Sequence, residues 1–523
     1  MIDGTHLYVE DRPQVFLDSW LIEATGMLTR RWHKPRQRQD RPVLARDRPW
    51  EINPYFTYSN YCVLQDPADG QIKCWYEDLG PHMGGVHPMK NRLLYAVSSD
   101  GVRFEKPQLD IVSHEGRPTN IVAGHTLGGP ASAANAWPTE GVHSCAIVID
   151  PHPPSGDERF RMIFSRRVPD SRKTSGWRRV TACARSADGI HWVPYPDPPR
   201  LGTSGTSLGD VSCVRYDANS RCFVQNTRHG CMWAPPPPGT PRESTTWAAA
   251  YAPHRPDLMN KRRVFRTFSH DFLHWSDPVR IVGPDDVFDN IDESHYGMAS
   301  FHVGNVEFGT LGVFRATDNE MDVRLLFSRD GARWAPADRA RPFLRPRGPE
   351  HWDAHMVSIA SPPIRMGDEL WFYHGGSSCH HDWWISGREN LAAPEAQAPP
   401  DHVRFGLGIA ALRLDGFCSL DAGPYRDGFV MTKPLFSQGD QLIVNARCRP
   451  GGWLRAAVTD LEGRCLGSCT REQCDAFAGD SVDHVLSWNG ERTIPAGGTF
   501  RRVILYLRDA EVFSFRFRES AEA

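Results

Sequence analysis

A short turn motif recurs along the chain and constrains the fold more than any other feature. Ser98-Ser99-Asp100-Gly101 leads to Phe104, and Ser186-Ala187-Asp188-Gly189 leads to Trp192. Ser269-His270-Asp271 leads to Trp275, and Ser328-Arg329-Asp330-Gly331 leads to Trp334. A degenerate fifth copy, Arg413-Leu414-Asp415-Gly416-Phe417, follows. Asp and Gly supply a tight corner with positive φ, and the aromatic side chain is placed to pack back on the sheet as the next strand departs. β-rich runs such as Arg92 to Val97 enter the turn, and alternating runs such as Lys73 to Tyr76 or Arg161 to Phe164 read as the strand before. The tetrapeptide alone is a common turn. Near-copies at intervals of about 60 to 90 residues, each with an aromatic at the same offset, instead mark a repeated four-strand unit.

Five copies predict an all-β chain whose residues 1–420 form a five-bladed β-propeller. No sustained 3.6-residue period competes with that reading. After Leu420 the motif stops, but short strands continue (Gln441 to Ala446, Leu454 to Thr459, Arg502 to Leu507, Val512 to Phe517). Residues 421–523 therefore read as a C-terminal β-sandwich. The Pro-rich stretches Pro235 to Pro241 and Ala392 to Pro400 read as surface loops within the propeller.

Charge and composition narrow the partners. The 523 residues carry 60 Lys+Arg against 63 Asp+Glu, and no local basic run offers a footprint for a nucleic-acid backbone. No apolar run approaches the roughly 18 residues of a membrane span, and Met1 to Glu10 lacks the basic-then-apolar order of a secretory leader. The 13 cysteines are scattered; Cys62, Cys145 and Cys213 sit in apolar runs as buried thiols, and Cys465, Cys469 and Cys474 lack zinc-site spacing. A reducing cytoplasm is the expected compartment.

Polar residues head an otherwise apolar strand in each predicted blade, and in a propeller such positions line one central funnel. They are Trp50, Glu51 and Asn60 in the first blade, His143 in the second, Asp210 in the third, Glu293 and His295 in the fourth, and Trp352, Asp353 and His355 in the fifth. Convergent carboxylates and imidazoles are what acid–base chemistry needs. An Asp or His before a strand is also an ordinary turn former, and Asp210, which follows Gly209, fits that plainer role. Asp353 has no such turn context, and Glu293 sits among Asp292 and His295, where crowding raises a carboxyl pKa. A second cluster, Cys379-His380-His381-Asp382-Trp383-Trp384, reads as a rim loop with aromatic platforms. Adjacent His380 and His381 send their rings to opposite faces of a strand, which argues against both ligating one metal. GxSxG, Walker A, HExxH and a strand-borne GxGxxG are absent.

Phe16-Leu17-Asp18, Pro42-Val43-Leu44 through Pro49-Trp50-Glu51, Cys74-Trp75-Tyr76, Leu412 to Phe417, Thr432-Lys433-Pro434-Leu435, Gly479-Asp480 and Phe513 to Phe517 resemble bacterial proteins similar to glycoside hydrolase family 32. The resemblance spans nearly the whole chain. It implies a five-bladed propeller, shared with fructosidases and arabinanases, and a sugar ligand. The catalytic Asp, Arg-Asp-Pro and Glu-Cys motifs of those enzymes have no copy here.

The resulting expectation is a glycoside hydrolase with Asp210, Glu293 and Asp353 as catalytic carboxylates and Glu51 in reserve. Glu293 is the expected general acid, and Asp353 or Asp210 the base or nucleophile. Trp50, His143, His295, Trp352, His355 and His381 would bind the sugar, with no cofactor. Two alternatives stand beside it. One is a sugar-binding propeller without turnover. The other is a metal-dependent lyase or isomerase whose histidines, with Asp210 and Asp353, hold a divalent ion.

Overall fold

The computed structural model describes residues 7–9, 11–79, 91–124, 141–172, 177–202, 209, 211–228, 262–285, 287–290, 292–315, 317–381, 405–495 and 498–520. Asp210, both Pro-rich stretches and Asp382 to Trp384 fall outside them. The described residues are all-β, with a single 3-10 turn at Gly156–Glu158 and no α-helix.

The repeated motif is one hydrogen-bonded device. In its second copy the Ser186 hydroxyl accepts the Gly189 N–H at 2.9 Å, and Asp188 Oδ1 accepts the N–H groups of Ile190 and His191, both at 2.8 Å. The same contacts recur around Ser98 and Asp100, Ser269 and Asp271, and Ser328 and Asp330. The third residue after the Asp-Gly corner is Trp in three copies because its indole N–H donates back to the corner carbonyl. Trp192 reaches Gly189 O at 2.9 Å, Trp275 reaches Phe272 O at 2.9 Å and Trp334 reaches Gly331 O at 3.2 Å. Phe104 cannot donate, and the Tyr373 hydroxyl serves the Gly101 carbonyl instead, at 2.8 Å. The corner itself has φ near +70° to +80°, which glycine accepts freely. Phe272 holds φ 70° without being glycine, its ring fully buried.

Each turn joins the third strand of an antiparallel group to its outer strand. The groups are Tyr61–Gln65, Ile72–Asp78, Arg92–Ser98 and Ile121–Gly124; His143–Ile149, Phe160–Pro169, Trp177–Ser186 and Val193–Pro194; Ser212–Asp217, Cys222–Thr227, Val264–Ser269 and Val279–Val282; and Glu293–Val303, Val306–Arg315, Glu320–Ser328 and Ala335–Pro336. A further group, Met356–Ser358, Glu369–Ser377 and Phe405–Arg413, is completed by Arg36–Gln37 and Leu44–Ala45, which pair with its last strand. One parallel bridge, Met321 to Met356, joins it to the preceding group.

The first strands of the first four groups lie side by side in order. The Cys62 thiol donates to Ile147 O at 3.2 Å, Asn226 Nδ2 to Met298 O at 3.1 Å and the Tyr61 hydroxyl to Ser358 O at 2.8 Å. Tyr58 reaches across to Thr310 O at 3.0 Å, and its ring fills the space a Cβ at Gly312 would need, 2.3 Å from Tyr58 Cε2.

The degenerate fifth motif does different work. It leaves the last of these groups and feeds Cys418–Ala422 into a ten-stranded sheet. There Asp415 takes the positive φ, at 55°, and its carboxylate accepts the Ser514 hydroxyl. Phe417 is fully buried and stacks on Phe308, with ring centroids 4.3 Å apart. That sheet is built on two long strands, Gln441–Thr459 and Thr499–Arg518, and takes in Gln14–Val15, Ile22–Gly26 and Leu28–Trp32 from the start of the chain. Leu442, Val444, Val458, Trp488, Leu505 and Phe515 fill its interior.

Candidate functional site

The leading ends of the first strands are backbone specials. Ser59 has φ 60°, Ser144 φ 59° and Gly209 φ 92°, each just before or at the start of a first strand. The two serines are 1% exposed. Non-glycine residues in this region cost of order 1–3 kcal/mol and persist where packing over-determines them.

The fourth group supplies the densest chemistry. Register pairs Glu293 with Arg315 and Arg315 with Glu320, and pairs His295 with Val313 and Val313 with Asp322. Strand alternation therefore puts Glu293, His295, Arg315, Glu320, Asp322 and Arg324 on one face. Glu293 is 2% exposed; its Oε1 accepts Arg324 at 2.5 Å and Asn290 Nδ2 at 3.2 Å, and its Oε2 is buried with no hydrogen-bond partner. Arg324 also holds Asp289 Oδ1 at 2.8 Å. Burial pushes the Asp289 carboxyl up, but the Asp285 N–H, His295 and Arg324 outweigh it and hold it below the usual range. His295 Nε2 lies 3.7 Å from Asp289.

Asp322 is the second acid of this face. Arg315 holds its Oδ2 at 2.6 Å, whereas Oδ1 is buried without a partner. Burial raises its pKa above the ordinary value; Arg315 opposes that and the Glu293 charge adds to it. Arg315 also contacts Asp318 and Glu320, both at 3.3 Å.

Glu320 continues the face toward the next group. Its Oε1 lies 3.1 Å from His355 Nδ1, and the His355 ring stacks on His380 at 3.9 Å between centroids and 29° between planes. Glu320, His355 and His380 each offer one donor atom, and the three atoms lie within 4.8 Å of one another. His381 turns the other way, to Tyr296, where its Nε2 is 2.9 Å from the hydroxyl. The Tyr296 ring is itself sandwiched by Arg228 at 4.3 Å and Arg262 at 4.8 Å.

The remaining expected residues have partners of their own. His143 is 2.9 Å from the fully buried Glu77 carboxylate, whose other oxygen accepts the Cys145 N–H. Asp353 is fully buried; Arg347 holds both its oxygens and Gln37 donates to Oδ2 at 3.0 Å. Burial opposes ionisation there, but His374, Arg347 and Gln37 pull the Asp353 pKa down to about 2. Trp352 stacks on His374, at 5.6 Å, and lines a cavity of about 600 Å³ with Asp40, Arg41, Arg46, Asn53 and Glu350. Glu51 is 1% exposed and accepts Lys106 Nζ at 2.7 and 2.9 Å, the Tyr76 hydroxyl and two backbone N–H groups. Trp50 donates to Asn120 at 2.8 Å within the same buried network. Among the described residues no hydrogen bond or ion pair joins Glu51 or Asp353 to Glu293. Asp210 lies outside them.

Sequence reasoning missed Asp322, Glu320, Arg315, Arg324 and His380. The signal was present in Glu320-Met321-Asp322-Val323-Arg324, where charged residues alternate with buried apolar ones, but that pattern equally describes a strand with a solvent face.

No model of a known protein family matches the chain, and no curated protein matches it. Solved structures similar to this chain include an N-acetylgalactosamine deacetylase from F. plautii in complex with blood group B trisaccharide, 13% identical with a TM-score of 0.41 over 75% of this chain and 97% of that one. A glycosyl hydrolase from Bacteroides ovatus is 12% identical with a TM-score of 0.44, over 76% of this chain and 96% of that one. A thermostable family-43 glycoside hydrolase is 12% identical with a TM-score of 0.43, over 70% of this chain and 93% of that one. Likeness at this level assigns neither reaction nor residues.

Proposed function

We propose that the chain is a carbohydrate-active enzyme that cleaves a glycosidic bond at the leading ends of the first strands. In this reading residues 1–420 form a five-bladed propeller and residues 421–523 a β-sandwich, which the N-terminal strands join. The repeated four-strand groups and the side-by-side packing of their first strands support that arrangement, and the sequence resemblance to family 32-like proteins supports a sugar ligand.

One observation carries the reaction. Glu293 and Asp322 are two buried carboxylates on one sheet face, each with one oxygen fixed by an arginine and the other without a hydrogen-bond partner among the described residues. Paired carboxylates in distinct environments are the working parts of a glycosidase. Asp322, whose burial favours the protonated form, is the general acid. Glu293 is the base or nucleophile, and Asp210 is a candidate third acid. This exchanges the role first expected of Glu293, because Arg324 sits on it. Asp353 and Glu51 take structural roles.

The test is a panel of aryl glycosides assayed with the wild type, E293Q, E293A and D322N. Turnover should be lost in E293Q, and azide should restore it in E293A with formation of a glycosyl azide if Glu293 is the nucleophile. Wild-type turnover by E293Q would overturn the assignment.

A further inference from the structure

We infer that Glu320, His355 and His380 form a binding site for one divalent transition-metal ion. The inference is independent of the glycosidic reading. It rests on donor chemistry, geometry and charge.

Two imidazoles and one carboxylate form a mixed nitrogen and oxygen donor set, which suits zinc, manganese, iron or cobalt better than the all-oxygen shell calcium and magnesium prefer. The three donor atoms already lie within 4.8 Å of one another. Ligands at about 2.0–2.2 Å from an ion sit closer together than that, so small side-chain rotations complete the approach. Such rotations are open to these residues, since the Glu320 side chain is 29% and the His355 side chain 19% exposed. Backbone pairing fixes the frame: the Met321 N–H donates to His355 O at 3.1 Å, and the His355 N–H to Ser377 O at 3.1 Å. The strand that carries Glu320 and the segment that leads into Met356–Ser358 are thereby held together where they meet.

Charge points the same way. Among the described residues Arg315 contacts Asp318, Glu320 and Asp322, at 3.3, 3.3 and 2.6 Å. With Asp322 protonated as the general acid, one positive charge faces two carboxylates, and the net negative charge favours a cation. Three protein ligands also leave coordination positions open, for water or for a pair of sugar hydroxyls. The ion would sit next to Asp322 through the shared Arg315. The adjacent His380 and His381 have different neighbours: His380 stacks on His355, and His381 meets the Tyr296 hydroxyl.

The experiment uses the full chain, stripped with a chelator, dialysed and titrated separately with Zn²⁺ and Mn²⁺ by calorimetry. Metal content of the protein as purified is read in parallel. One ion per chain should bind, and the H355A/H380A double variant should lose more than the roughly 10–100-fold in affinity that changes beyond the ligand shell cost. E320Q should weaken binding as well. H270A, at an exposed histidine outside the cluster, should bind as the wild type does. Circular dichroism of the metal-free variants keeps a folding defect apart from a ligand defect; an unfolded double variant would be replaced by H380Q alone. Absence of binding by either ion at 100-fold excess over protein, with no metal in the purified chain, would overturn the inference. So would undiminished binding by a folded double variant. Neither outcome bears on whether E293Q abolishes turnover.

Discussion

Arg324 donates to Glu293 at 2.5 Å and so fixes one oxygen of a buried carboxylate while the other stays without a hydrogen-bond partner. The same guanidinium also holds Asp289 Oδ1 at 2.8 Å, so one arginine ties two acids together.

If Glu293 is the base or nucleophile, E293Q keeps its shape and its bond to Arg324 but loses the charge. Turnover should fall by about 10²–10⁴-fold with an unchanged circular dichroism spectrum. R324K should also lose activity, because a lysine cannot span Asp289 and Glu293 as the planar guanidinium does.

For Asp322 the expected signature is a leaving-group effect. D322N should lose about 10²–10⁴-fold on alkyl glycosides yet retain most activity on dinitrophenyl glycosides, which depart without a proton. Burial raises the Asp322 pKa, so wild-type activity should decline as pH rises through the folded-state value. D322N should lack that alkaline limb on the activated substrate. Equal losses on both substrate types would remove Asp322 from the acid role.

Glu51 and Lys106 are a buried pair within hydrogen-bond distance through both carboxylate oxygens. Removing one partner of such a pair strands the other charge in the interior and costs about 3–5 kcal/mol. K106M and E51Q should therefore lower the urea midpoint markedly while leaving the kcat of the folded fraction near wild type. A stable E51Q that is inactive would return Glu51 to the catalytic set.

The turn repeat makes an acid-stability prediction. Burial opposes ionisation of Asp188 and Asp271, but backbone N–H donors and a neighbouring histidine draw both pKa values down to about 2. A carboxyl whose folded pKa lies below its unfolded value of about 3.9 stabilises the fold above that pH and loses the contribution as pH falls toward 2. D188A/D271A should be less stable than wild type by about 1–2 kcal/mol per turn at pH 7, with the difference shrinking between pH 4 and pH 2. Urea midpoints measured across that range provide the check.

The turn motif was legible in the sequence because one local hydrogen-bond pattern demands Ser, Asp, Gly and Trp at fixed offsets. Its exception at Phe104 was not, since the donor that replaces the indole is Tyr373, far along the chain. The fifth copy kept the corner while changing what it joins, and only the pairing of Cys418–Ala422 with Leu28–Trp32 and Thr499–Arg518 reveals that. At the site, Glu293 and His295 stood out as polar residues heading an apolar strand. Glu51 stood out for the same reason, but its partner Lys106 carries no local sign of reaching it. Asp322 and Glu320 hid in an alternation that also describes a half-exposed strand. His380 and His381 lie just past the strand that ends at Ser377, and their rings meet different neighbours, His355 and Tyr296.

Residues 36–45 form their strands against residues 406–411, and that pairing sets a time scale. Loop closure over several hundred residues is entropically costly but grows only logarithmically with length, whereas long-range strand pairing is slow to nucleate. The segment made early in synthesis must wait for nearly the whole chain before it can pair. Once docked, its release requires that edge of the sheet to open, so its contribution falls on the unfolding rate rather than on the folding rate. That edge is thereby expected to come apart slowly once it has formed.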